Sequence, residues 1–137
     1  MKKLSYFSVL LLVLLTASCR RQGAQSVAEQ PKAQIEFLSD LTHDFGMYRT
    51  RDTMVHYFVY KNIGKVPFVI NKVEPSCHCT RAYYSHQPLQ PGQKDSIRIT
   101  YDGDGFLDGP WRKSCTIYSN ADTTFVLRIK GTYYAAE

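Results

Sequence analysis

The chain has 137 residues, 44% of them hydrophobic, with 17 basic against 12 acidic side chains and a formal charge of +5. Beyond its first 33 residues about 100 remain, enough for one compact domain and too few for two. Apart from Lys2-Lys3, the adjacent basic pairs are Arg20-Arg21 and Arg112-Lys113, and the other basic residues are interspersed with acids. Such a pattern lacks the dense cationic stripe of a nucleic-acid binder, so no nucleic-acid partner is expected.

The chain opens with Met1-Lys2-Lys3, a mostly apolar run from Leu4 to Leu15, and the small residues Thr16-Ala17-Ser18 before Cys19. A positive start, an apolar centre and small residues before a cut form an export signal. The apolar run is about a dozen residues, whereas a bilayer-spanning helix needs roughly 20. Removal of residues 1–18 takes away Lys2 and Lys3 and lowers the +5 of the precursor to +3.

The residues around Cys19 resemble the lipobox of bacterial lipoproteins, with Thr16 standing where that pattern usually has leucine. The resemblance implies that the Cys19 thiol receives diacylglycerol, that the chain is cut before it and that the new amine is acylated. Three acyl chains exceed the two signals needed for stable anchoring, so the membrane is an expected partner. The palmitate-type lipid would hold the protein in the cell envelope, with the outer membrane facing the periplasm as the expected address. Residues 19–33, including RRQGAQSVAEQPKA, are polar and lack hydrophobic period, which predicts a flexible tether.

Residues 34–137 carry period-2 patterning. Met54, His56, Phe58 and Tyr60 share one face, as do Ile97, Ile99 and Tyr101, and Phe125, Leu127 and Ile129. This pattern predicts strands. Turn residues separate them at Asn62-Ile63-Gly64, Gln90-Pro91-Gly92, Asp102-Gly103-Asp104-Gly105 and Asn120-Ala121-Asp122. The expected strands are about 35–38, 43–48, 53–62, 67–74, 95–102, 111–119 and 123–133. About seven short strands, each with one apolar face, predict an all-β sandwich of two packed sheets.

Several landmarks occur in fixed order: His43-Asp44-Phe45-Gly46, His56-x-Phe58-x-Tyr60-x-Asn62-x-Gly64, Pro67-Phe68-x-Ile70, and Ser76-Cys77-His78-Cys79-Thr80. Pro88-Leu89-x-Pro91-Gly92, Trp111-x-Lys113-x-Cys115-x-Ile117-x-Ser119-Asn120 and Leu127-x-Ile129-x-Gly131 complete the set. In order and spacing the chain resembles the domain-of-unknown-function family 1573, immunoglobulin-like modules related to the Hydin type and common in bacterial lipoproteins. The resemblance implies an immunoglobulin-like sandwich and no established activity. His78 replaces the glycine usual at its position, and Cys115 replaces an aliphatic residue.

Cys77, His78 and Cys79 are soft ligands for copper or zinc. In an extended strand the two cysteines point to one side and His78 to the other, so the three converge only if the chain turns. Cys77 and Cys79 would be the first ligands, with His78 or His86 as the third. A disulfide competes in an oxidising compartment. In an ideal strand the Cα atoms of Cys77 and Cys79 lie roughly 6.6 Å apart, near the upper limit for bridging. Cys115 could bridge to either, or serve as a small core residue.

Catalysis needs a base within reach of a nucleophile and a stabiliser for developing charge, and the sequence places neither. His56 alternates onto the face of Phe58 and Tyr60 and reads as a core histidine, while His43 reads as part of the entry strand. The ten tyrosines, with the pairs Tyr83-Tyr84 and Tyr133-Tyr134, offer contact area for a protein or glycan. The expected protein is therefore a non-enzymatic, lipid-anchored binding or scaffolding module with no required cofactor. The competing expectation is a metal or thiol-redox role at Cys77-His78-Cys79.

Overall fold

A computed structural model describes residues 30–103 and 108–135. The predicted signal, Cys19 and most of the predicted tether lie outside them. Eight strands follow one another: β1 (Ile35–Phe37), β2 (Thr42–Tyr48), β3 (Met54–Asn62), β4 (Ile70–Pro75), β5 (Thr80–Tyr83), β6 (Lys94–Tyr101), β7 (Gly109–Ser119) and β8 (Phe125–Tyr133). They form two four-stranded sheets, ordered β1-β3-β6-β5 and β2-β8-β7-β4. The expected all-β sandwich is thus present, with one strand more than the sequence patterning indicated.

Alternation builds the core. On β3 and β6 the inward positions Phe58, Tyr60, Ile97, Ile99 and Tyr101 are buried, and Cys115, Ile117, Leu127, Ile129 and Tyr133 of β7 and β8 close over them. Each fully buried large side chain contributes about 1.5–3 kcal/mol, so the two inner faces supply most of the drive to fold. Neighbouring strands pair antiparallel except β2 and β8, which run parallel.

The polar landmarks close one end of this sandwich. Asn62 is fully buried; its side-chain amide donates to the carbonyls of Val66 and Leu89, both at 2.9 Å, and its Oδ1 accepts the Gly64 N–H at 2.9 Å. Asn120, just past β7, donates to the Pro67 carbonyl and accepts the Val69 N–H, both at 2.9 Å. Two asparagines from opposite sheets thereby pin residues 66–69, and this segment seats the buried Phe68. Satisfying backbone groups of an irregular segment with amide side chains avoids the penalty of burying them unpaired.

Gly64 packs where a Cβ would lie 2.8 Å from the Gln34 backbone nitrogen. On β2, Gly46 has φ +69° at an irregularity in the pairing with β8, a conformation suited to glycine. Its N–H donates to Asp44 Oδ1 at 2.8 Å. This bond, reinforced by Lys130 at 3.1 Å, holds the Asp44 carboxyl below its ordinary range.

Some boundaries differ from the sequence pattern. Ala33, expected in the tether, is buried and bridges to Ala121, with its N–H donating to the Asn120 carbonyl at 3.2 Å. Phe68 makes an isolated bridge to Leu89 instead of opening β4, because the asparagine clamps take over its neighbours' hydrogen bonds. The added strand, β5, alternates buried and exposed residues over only four positions, too short for a periodic signal.

Candidate functional site

The Cys77-His78-Cys79 segment forms the turn between β4 and β5. The Thr80 N–H donates to the Cys77 carbonyl at 3.2 Å, and the Asp102 N–H donates to the Cys79 carbonyl at 3.1 Å. The turn brings the two cysteine Cα atoms to 5.3 Å, and a disulfide joins them. The 6.6 Å separation of an ideal strand therefore does not apply. His78 completes the turn without positive φ, since among the described residues only glycines have it. A histidine can thus replace the family's usual glycine here.

This geometry does not assemble the anticipated metal centre. A bridged pair offers no thiolates, and among the described residues no three of His, Cys, Asp and Glu are grouped to hold a metal ion. His86 is exposed and lies against the Tyr84 ring, with centroids 4.8 Å apart. Cys115 is free, fully buried and raised by burial to a pKa of about 11. It fills the core beside Leu127 of β8 and does not bridge to Cys77 or Cys79.

His43 and His56 come from facing sheets and stack at 3.7 Å with their rings 10° from parallel. Each also meets a phenylalanine edge, Phe45 at 4.5 Å and Phe58 at 4.6 Å. Desolvation, and secondarily the charge of His43, lower the His56 pKa below 6.5. The unfolded chain consequently takes up a proton at His56 more readily than the folded one. Stability should be fully present above pH 6.5 and should decline as the pH falls toward the lower folded pKa. Denaturant midpoints measured from pH 8 to pH 5 should show that decline, and His56→Phe should flatten it; an unchanged slope in the variant would assign the effect to other groups.

The outer face of the β1-β3-β6-β5 sheet exposes several large apolar and aromatic side chains. Alternation turns Val55, Tyr57 and Val59 outward, with exposures of 44%, 53% and 36%. Register places Tyr57 opposite Arg98 on β6, and Arg98 opposite Tyr83 on β5. The Arg98 guanidinium carbon lies 4.1 Å from the Tyr83 ring centroid. Leu38, also exposed, joins this side through its N–H bond to the Val59 carbonyl at 2.9 Å. A row of tyrosine, arginine and tyrosine bordered by valines has the composition of an interface centre.

Residues 35–133 match the family described as Protein of unknown function (DUF1573). The chain belongs to the DUF1573 family. Among curated proteins, none matches this DUF1573 chain. Among solved structures, a protein of unknown function from Porphyromonas gingivalis W83 is similar with a TM-score of 0.65 and 15% identity, over 80% of this chain and 51% of that one. The ASH/PapD-like domain 7 of human CEP192 is similar with a TM-score of 0.59 and 12% identity, over 86% of this chain and 97% of that domain. The Vibrio cholerae VesB protease is similar with a TM-score of 0.52 and 12% identity, over 74% of this chain and 32% of the protease.

The DUF1573 chain thus spans about half of the Porphyromonas protein and a third of the protease. At such identities the likenesses establish an immunoglobulin-like fold and leave activity to be argued from the residues. Several family landmarks now have structural roles: Asn62, Gly64 and Asn120 secure the 66–69 segment, and Gly46 serves the β2 irregularity. The Tyr57-Arg98-Tyr83 row lies outside those landmarks.

Proposed function

We propose that this chain is a lipid-anchored envelope lipoprotein, attached through Cys19 and facing the periplasm from the outer membrane, whose domain is a non-catalytic binding module for another envelope protein. The observation that carries the binding reading is the outward Tyr57-Arg98-Tyr83 row with Val55, Val59 and Leu38 around it. Tyrosine supplies large contact area with few rotatable bonds, and a guanidinium held over a ring is partly prepaid for docking. The residues before Cys19 support the anchor.

Site-specific photo-crosslinking in membrane fractions tests this reading. A crosslinker at position 57 or 83 should capture one discrete protein, and a crosslinker at exposed position 122 should not. Arg98→Ala should reduce that product about tenfold, and Cys19→Ser should move the protein out of the membrane fraction. Identical products from all three positions, or none from 57 and 83, would refute the interface; persistence of the serine variant in the membrane would refute the anchor.

A further inference from the structure

The outer face of the opposite sheet carries a groove of about 450 Å³ across β2, β8 and β7. Two cross-strand rows supply side chains to it, with Asp44 at the end of one row outside its lining. In one, Thr42 of β2 opposes Arg128 of β8, which opposes Ser114 of β7; in the other, Asp44 opposes Lys130, which opposes Arg112. Ser76, following β4, reaches the first row, with its hydroxyl oxygen accepting the Ser114 N–H at 3.0 Å.

The charges of this groove are not balanced. Lys130 pairs with Asp44 at 3.1 Å, and the nearby Glu74 is engaged by Lys72. Arg128 donates to the Val126 carbonyl at 3.3 Å. Neither Arg112 nor Arg128 has a carboxylate partner among the described residues. Arg112 and Lys130 are also like charges directly opposite one another, an arrangement that costs a sheet stability. Nothing in the packing of the core requires it, because these side chains point outward.

Two guanidiniums without counter-ions match the oxygens of a phosphate, which accepts paired N–H bonds from arginine. The hydroxyls of Thr42, Ser76 and Ser114 beside them match the hydroxyls of a sugar. The volume lies in the range of small-ligand sites. We propose that this groove binds a phosphorylated sugar, with Arg112 and Arg128 on the phosphate and the three hydroxyl side chains on the ring. The site is independent of the tyrosine face, which lies on the other sheet.

Calorimetric titration of the purified full-length protein tests the proposal with glucose 1-phosphate, glucose and inorganic phosphate as probes. Glucose 1-phosphate should bind, glucose should not, and inorganic phosphate should bind more weakly. Arg112→Gln and Arg128→Gln should each weaken glucose 1-phosphate binding about tenfold or more, and Lys94→Gln on the other sheet should leave it unchanged. Arg112→Gln should melt at the same temperature or higher, since it removes the like-charge pair; this separates lost binding from lost folding. Equal affinity for inorganic phosphate would overturn the sugar assignment, and absent binding or wild-type affinity in both arginine variants would overturn the site. Vesicles of a phosphorylated glycolipid, compared with phosphatidylglycerol vesicles, distinguish a lipid-borne sugar from a free one. Equal binding to both vesicles, lost in the arginine variants, would replace the sugar by any anionic membrane surface.

Discussion

Asn62→Ala should destabilise the domain by about 3 kcal/mol, the largest effect expected of any polar substitution described above. The side chain is fully buried and makes three hydrogen bonds. Part of the loss is cushioned. The Leu89 carbonyl also accepts the Phe68 N–H, and the Gly64 N–H also reaches the Gln34 carbonyl. Among the described residues the Val66 carbonyl has no such second partner, and it would be left to water or strain. Adding the small cavity to roughly 1 kcal/mol per lost bond gives the stated magnitude.

For a domain of this size the corresponding fall in Tm is on the order of 15 °C. Asn62→Asp should be at least as damaging, because a carboxylate would replace the donor that faces two carbonyls. Thermal unfolding followed by circular dichroism measures both. A loss below about 1 kcal/mol in Asn62→Ala would show that the 66–69 segment holds without its clamp.

The second large effect is expected at Gly131, which is buried opposite Trp111 on the neighbouring strand. A Cβ there would lie 2.9 Å from Trp111 Cζ2 and 3.2 Å from Tyr48 Cε1. Neither ring can swing away freely: Trp111 stacks on Tyr101 at 4.0 Å, and Tyr48 packs edge-on to Trp111 and against Tyr133. Gly131→Val should therefore cost about 3 kcal/mol through overpacking, and Gly131→Ala less. Trp111 is the sole tryptophan, so its fluorescence reports the displacement directly. An unshifted emission maximum together with an unchanged Tm would show that the aromatic cluster absorbs the added carbon atoms.

The faces of the long strands are legible in the sequence because burial on one side writes a period of two. Met54, His56, Phe58 and Tyr60 fall on one face of β3, and the structure turns all four inward. Val55, Tyr57 and Val59 must then point outward. Their alignment with Arg98 and Tyr83 is not legible, since it depends on the register of three strands separated by turns. The groove escapes for the same reason. Arg112-Lys113 stands out as an adjacent pair, yet Arg112 acquires its meaning from Arg128 and Lys130 on the next strand.

The cysteine segment shows a different limit. An extended chain separates Cys77 and Cys79 and turns His78 away; a turn places the cysteines within bridging distance. The choice between the two was set by hydrogen bonds from Thr80 and Asp102, one of them more than 20 residues distant. The roles of Asn62 and Asn120 were hidden too. Their position at strand ends reads as turn chemistry, and only the folded chain shows that both hold the same four-residue segment.

The parallel pairing of β2 with β8 dictates an order of assembly. During synthesis the N-terminal strands emerge first, but β2 finds its edge only when the last described strand has appeared. Until then β7 has β4 alone beside it, and the inward Cys115 and Ile117 lack their cross-strand neighbours Leu127 and Phe125. Closing a contact across some 85 residues carries a loop entropy that local hairpins avoid. The second sheet consequently closes only once β8 is available, and a chain in which β8 has not docked presents an adhesive strand edge to its surroundings.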